Sequence, residues 1–193
     1  MSGHHNLEGK NLKNALKLLE RIITCLDNNN VNYWLEGGTL LGVVRENRLL
    51  PWDNDMDISV KETEYEKLIA CIPQIKKLGY RVKTKCFDQD DAPFKKGIIR
   101  IIKVRTRRFF FFRGTVCLDI FIKFKKEDAY YWIVKDTTKS VPARFYREMI
   151  PWPFNNRDYV IPKAYDSYLT HRYGNWRIPV KEWNTFTDDN AIN

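Results

Sequence analysis

The chain has 193 residues, 30% of them charged and 14% aromatic, and a formal net charge of +9. That length suits one globular domain with a sizeable core, and no Pro/Gly/Ser-rich linker divides it. No apolar run approaches the roughly 20 residues of a membrane-spanning helix, and the polar N-terminus lacks the apolar segment of a signal peptide, so a soluble, cytoplasmic protein is expected.

Residues 1–10 read as a disordered start, with His4 and His5 set aside from fold reasoning. Leu12, Ala15, Leu16, Leu19, Ile22, Ile23 and Leu26 then recur at helical spacing, which predicts a helix over Asn11–Leu26 that Asp27-Asn-Asn-Asn30 ends. Tyr33–Leu35 reads as a short strand, Gly37 and Gly38 as a turn, and Thr39–Glu46 as a helix. Pro51 makes Asn47–Asn54 a loop. Beyond it, Met56, Ile58 and Val60 alternate with Asp55 and Asp57, as a strand with one apolar and one acidic face would.

Glu62–Lys77 reads as a helix, with Pro73 expected to kink or shorten it. Strands are predicted over Tyr80–Phe87 and Ile98–Arg105, with a polar loop between them. A run from Phe109 to Phe112 leads to a turn at Gly114, and Thr115–Phe124 alternates as a further strand. Ala129–Val134 is expected at a sheet edge, and Val141–Asn156 as a Pro- and aromatic-rich crossover. Ile161–Tyr173 is expected as a helix with Pro162 in its first position. A tail from Phe186 is expected to be loose.

The chemistry concentrates between Trp34 and Val60. Asp53, Asp55 and Asp57 fall at every second position. Carboxylates about 7 Å apart along one strand repel each other, and a hard divalent cation, Mg²⁺ or Mn²⁺, relieves that repulsion best. A helix opening on glycine presents free N–H groups and the positive end of its dipole to a phosphate. Phosphate and metal would then meet in one cleft. A calcium-binding EF-hand fails, because the sixth position from Asp53 is Ile58 rather than glycine.

Asp119 is a lone acid in an apolar, basic strand, on the face it shares with Cys117, Phe121 and Lys123. A buried carboxylate needs either a salt bridge or a place beside Asp55 and Asp57 as a third metal ligand. Arg45 is placed to grip diphosphate oxygens, Trp52 to pack or to stack, and Lys123 to contact substrate. Asn175-Trp176 either shapes a nucleotide pocket or simply stops a helix. The four cysteines show no Cys-x-x-Cys spacing and read as buried, reduced thiols. His171 reads as structural. From Lys95 to Lys126, eleven Lys or Arg residues stand against one acid, which suits a solvated face, an anionic ligand or a lipid surface.

The strings Glu36-Gly-Gly-Thr-Leu-Leu-Gly-Val-Val-Arg45 and Leu50-Pro-Trp-Asp-Asn-Asp-Met-Asp-Ile58 resemble the LicD/fukutin family, which includes fukutin-related protein. Weaker similarity extends from Val160 to Trp176. The resemblance implies a single α/β (α+β) domain over residues 11–185, with the nucleotidyltransferase-like mixed β-sheet flanked by helices. It also implies a metal held by Asp55, Asp57 and Asp119, with phosphate cradled by Gly37, Gly38 and Thr39. The implied reaction moves phosphocholine, ribitol phosphate or glycerol phosphate from a CDP-alcohol to a glycan hydroxyl, with Asp119 or Asp53 as the base. By comparison with larger fukutin-type proteins, the chain reads as a minimal catalytic unit. Two other readings are a transferase that moves a nucleotide from an NTP, and a basic nucleic-acid-binding or scaffold protein. Nucleic acid ranks last, because the basic stretch carries no known reader motif. A peripheral membrane contact is compatible with the charge.

Overall fold

The computed structural model describes residues 6–108 and 112–192. Helix α1 (Gly9–Asn28) buries Ala15, Leu18, Leu19, Ile22, Ile23, Cys25 and Leu26 along one stripe. Its first turn has no side-chain cap. A cap contributes about 1 kcal/mol and each fully buried aliphatic side chain about 1.5–3 kcal/mol, so the stripe, not the cap, fixes this helix.

Strand β1 (Trp34–Glu36) runs into helix α2 (Gly37–Glu46), and β2 (Met56–Lys61) follows the loop. Helix α3 (Tyr65–Lys77) runs through Pro73 to its expected end, so the proline does not shorten it. Strands β3 (Arg81–Cys86), β4 (Ile99–Arg108), β5 (Phe112–Lys126), β6 (Ala129–Val134) and β7 (Thr137–Pro142) complete a seven-stranded sheet. Its order is β1-β2-β5-β4-β3, with β6 on the far part of β5 and β7 on β6. Among the described residues, β2 and β5 pair in parallel and the sheet's other ladders are antiparallel. The sheet is therefore mixed and flanked by helices, as expected. Met56, Ile58, Val60, Leu118, Ile120 and Ile122 are fully buried on one face, where α1 packs on β5 and α3.

Several expectations change. Gly114 lies inside β5 rather than at a turn, opposite a bulge near Thr106 whose carbonyl oxygen would stand 2.5 Å from an added Cβ. β6 is not an edge, because β7 covers it. The crossover contains strand β8 (Met149–Phe154), which pairs with β9 (Arg157–Pro162) in a separate hairpin. Its turn residues Asn155 and Asn156 both have positive φ, 48° and 65°, the backbone of a tight hairpin turn. Pro162 closes β9, and helix α4 spans only Tyr165–Tyr173. Pro151 and Pro153 are tolerated in β8 because the hairpin has only two strands.

Neither described end is loose. Leu7 is buried and donates its N–H to the Asp53 carbonyl at 2.9 Å. Asp189 and Ala191 are buried as well. Cys25, Cys71 and Cys117 are buried free thiols, whereas Cys86 is exposed on the outermost strand. Phe109, Phe110 and Phe111 lie outside the described residues. Among the described residues, no helix is long and apolar enough to cross a membrane.

Candidate active site

The parallel ladder pairs Asp57 directly with Asp119. Paired residues project from the same face, so both carboxylates leave the sheet opposite α1. Asp55 precedes β2, and Asp53 lies in the loop before it. All four acids line one cleft of about 540 Å³, together with Gly37, Gly38, Arg45 and Trp52.

The glycine pair is required by the carboxylates themselves. Gly37 has φ +57°, and a Cβ there would stand 2.7 Å from Asp57 Oδ2. A Cβ on Gly38 would collide with Asp53 Oδ2. The N-terminus of α2 thus packs directly on two acids, which brings amide donors and carboxylates to one place. Thr39, expected at phosphate, is buried instead. Its Oγ1 accepts the Asp57 N–H at 2.9 Å and ties β2 to α2.

Crowding sets the electrostatics. Burial pushes the Asp53 carboxyl up to about 6. Burial, followed by the Asp119 and Asp53 charges, pushes Asp55 up to about 7. Burial and the Asp55, Asp119 and Asp53 charges hold Asp57 well above the usual carboxylate range. Among the described residues, no set of three or more His, Cys, Asp or Glu side chains is already gathered as metal ligands. Lys103 Nζ is hydrogen-bonded to Asp119 Oδ2, so one oxygen of that carboxylate is engaged. An all-oxygen set of buried, mutually repelling carboxylates nevertheless fits a hard divalent cation, which would offset the burial and the repulsion that raise Asp55 and Asp57.

Other expected residues sit differently. Arg45 lines the cleft, but its guanidinium donates to Glu46 Oε1 and to the Trp176 carbonyl at 3.1 Å. Trp52 is half-buried on the cleft wall, with Lys181 Nζ 5.6 Å from its ring centroid. Trp176 lines the cleft too, whereas Asn175 does not. Lys123 does not reach the cleft surface. It is fully buried, 3.4 Å from Glu36 Oε2 and 3.1 Å from the Trp132 ring centroid.

Behind the cleft lies a charged network that sequence reading passed over. Glu36, quoted above only as part of a motif, pairs with Asp57 across β1 and β2. Its carboxylate accepts from Gly37 N, Trp34 Nε1, Ser59 Oγ, Tyr146 Oη, Tyr168 Oη and Arg172. Arg172 also binds Asp189, which receives Lys139. Although burial opposes ionisation, the Lys123 and Arg172 charges hold Glu36 down to about 2. Two carboxylates face three cations, and burial pushes Lys123 down to about 7, so the surplus charge falls on that ammonium. The signal for Glu36 was its place immediately before the glycine pair. Arg172 and Asp189 carried none.

Several known proteins are similar to this chain. An uncharacterised protein of Rickettsia typhi is 27% identical over 177 residues, covering 89% of this chain and 49% of the relative. The human ribitol-5-phosphate transferase FKTN is 25% identical over 180 residues, again 89% of this chain but 35% of that protein. The Haemophilus influenzae lipopolysaccharide cholinephosphotransferase LicD is 32% identical over 55 residues, 28% of this chain and 21% of LicD. The chain thus spans about half the length, or less, of these relatives. The family described as LicD/FKTN/FKRP, nucleotidyltransferase domain, matches residues 30–164, well over half of the chain and the whole carboxylate site, and the chain belongs to that family.

Proposed function

We propose that this domain is a divalent-metal-dependent phosphotransferase that moves a phosphorylated alcohol from a CDP-alcohol to a glycan hydroxyl. The observation that carries the reading is the meeting of Asp53, Asp55, Asp57 and Asp119 with the glycine N-terminus of α2 in one cleft. The activities for which FKTN and LicD are named, transfer of ribitol 5-phosphate and of choline phosphate, support the same chemical class.

Asp55, Asp57 and Asp119 would hold Mg²⁺ or Mn²⁺. The ion supplies neutralisation of diphosphate charge and of the departing CMP. Gly37 N–H is held by Glu36, so the later amides of α2's opening turn and its dipole would face the phosphate oxygens. Trp52, half-buried on the cleft wall, would offer flat aromatic surface to the nucleotide. The acceptor hydroxyl attacks the phosphorus bearing the alcohol, the bond from that phosphorus to the CMP oxygen breaks, and the hydroxyl proton passes to a carboxylate. Asp119 is engaged by Lys103 and by Cys117 Sγ at 3.1 Å, whereas Asp53 is raised by burial alone to about 6. Asp53 therefore suits the base, close enough to neutrality to take a proton and give it up.

The test is to incubate the protein with CDP-choline, CDP-ribitol or CDP-glycerol and a glycan acceptor, and to follow CMP and the phosphodiester by mass spectrometry. CMP release that requires metal and disappears in Asp57→Ala supports the reading. Turnover of CTP or ATP with pyrophosphate release would replace it with nucleotidyl transfer.

A further inference from the structure

Asp119 receives its counter-ion from its own sheet. Lys103 on β4 is its direct register partner across the antiparallel β4–β5 ladder, so both side chains leave the same face. Lys103 Nζ bonds Asp119 Oδ2, and the other carboxylate oxygen accepts Cys117 Sγ at 3.1 Å. The Lys103 side chain is 14% exposed and lines the cleft beside Lys85 and Arg100. Arg100 is committed to the carbonyls of Ile133 and Lys135, each at 3.1 Å, whereas Lys103 stands on a carboxylate, with the charge of Arg105 also acting on Asp55. Asp53, Asp55 and Asp57 crowd the same cleft.

A divalent ion shared by Asp55, Asp57 and Asp119 would compete with Lys103 for the Asp119 carboxylate, whose other oxygen already accepts from Cys117. We propose that Lys103 is a displaceable counter-ion. It holds Asp119 while the site is free of metal, yields that oxygen to the incoming ion, and turns its ammonium toward the phosphate oxygens of the donor. A lysine suits this work better than an arginine, because its charge is a compact point on a flexible four-carbon stem rather than a planar fork. The cleft offers the space, and Lys85 beside it repels the ammonium less once an anionic donor lies between them.

This proposal rests on the metal reading given above and makes Lys103 a positioning residue with two opposite effects. Removing a competing cation from Asp119 strengthens metal binding, whereas losing the ammonium weakens binding of the phosphate ligand. An ion pair that only braces the fold would lack the second effect, because its loss would leave binding of the phosphate ligand unchanged.

The experiment measures Mn²⁺ binding by electron paramagnetic resonance of the free ion, without nucleotide, for wild type, Lys103→Met, Lys103→Gln and Asp57→Asn. CDP binding is then measured at saturating Mn²⁺. The expected result is Mn²⁺ binding about tenfold or more tighter in both Lys103 variants, a factor within reach of one lost charge competition. CDP binding is expected to weaken by about tenfold in the same two proteins, the size of one lost charge-assisted contact. Mn²⁺ affinity unchanged or reduced in both variants overturns the proposal while leaving the metal reading intact. Stronger Mn²⁺ binding with unchanged CDP affinity overturns the transfer of the ammonium to phosphate. If circular dichroism finds both variants unfolded, Lys103 is a structural ion pair and the proposal is wrong. An Asp57→Asn protein that binds Mn²⁺ as wild type does overturns the metal reading itself.

Discussion

Asp57 and Asp119 stand side by side across the one parallel ladder of the sheet, although 62 positions (119 − 57) separate them in the chain. A parallel pair requires a crossover, and α3, β3 and β4 form it, so the site's geometry depends on the integrity of the whole sheet. Each expectation below follows from that juxtaposition or from the network behind it.

The first concerns pH. Asp53 and Asp55 have folded-state values raised to about 6 and about 7. The folded protein therefore binds these protons more tightly than the unfolded chain, and stability falls as pH rises from about 4 to about 7. Glu36 and Asp189, both held down to about 2, act in the opposite sense, and their stabilisation is lost as pH falls below about 4. The melting temperature of the metal-free protein should thus peak near pH 4–5 and decline toward pH 7. Calorimetric scans should find the decline reduced in Asp55→Asn and offset by Mn²⁺. A melting temperature that rises steadily from pH 4 to 7 would contradict this.

The network around Glu36 gives the second. Glu36→Gln removes the charge that offsets Lys123 and Arg172 while keeping the shape. Breaking a buried ion pair by removing one partner costs about 3–5 kcal/mol, and urea unfolding should report a loss in that range. A loss under about 1 kcal/mol would mean that the six donors around this carboxylate are replaceable by water.

The glycine pair gives the third. Gly37→Ala forces a side chain into left-handed backbone as well as against Asp57, so about 1–2 kcal/mol of stability should be lost along with metal binding. Gly38→Ala meets only the mobile end of the Asp53 side chain. It should fold nearly as well as wild type and lose activity by displacing that carboxylate. Equal effects on folding at the two positions would contradict the distinction.

The sequence made the front of the site legible and left its back hidden. Alternation gave the face of β2 that carries Asp57, with Asp55 just before the strand, and a lone acid in an apolar strand marked Asp119, because burying a charge without a partner is costly. Lys103 carried no mark of its own. It sat among eleven cations, and only the β4–β5 register singles it out. Lys123 misled for the same reason that Asp119 did not: the alternation gave its face correctly but not its depth, and Trp132 and Glu36 close over it. The β8–β9 hairpin was missed because its prolines argue against a strand, although the Asn155-Asn156 turn was readable. The last residues looked featureless because Asp189 gains its role only from Arg172 and Lys139.

The most direct test of the central claim is calorimetric titration of CDP into the wild-type protein and into Asp57→Ala, each with Mg²⁺ and with EDTA. Binding of CDP to wild type that requires Mg²⁺ and is lost in Asp57→Ala is the expected result. CDP binding that survives both EDTA and the substitution would contradict a metal-dependent diphosphate site, and so would the absence of binding under every condition.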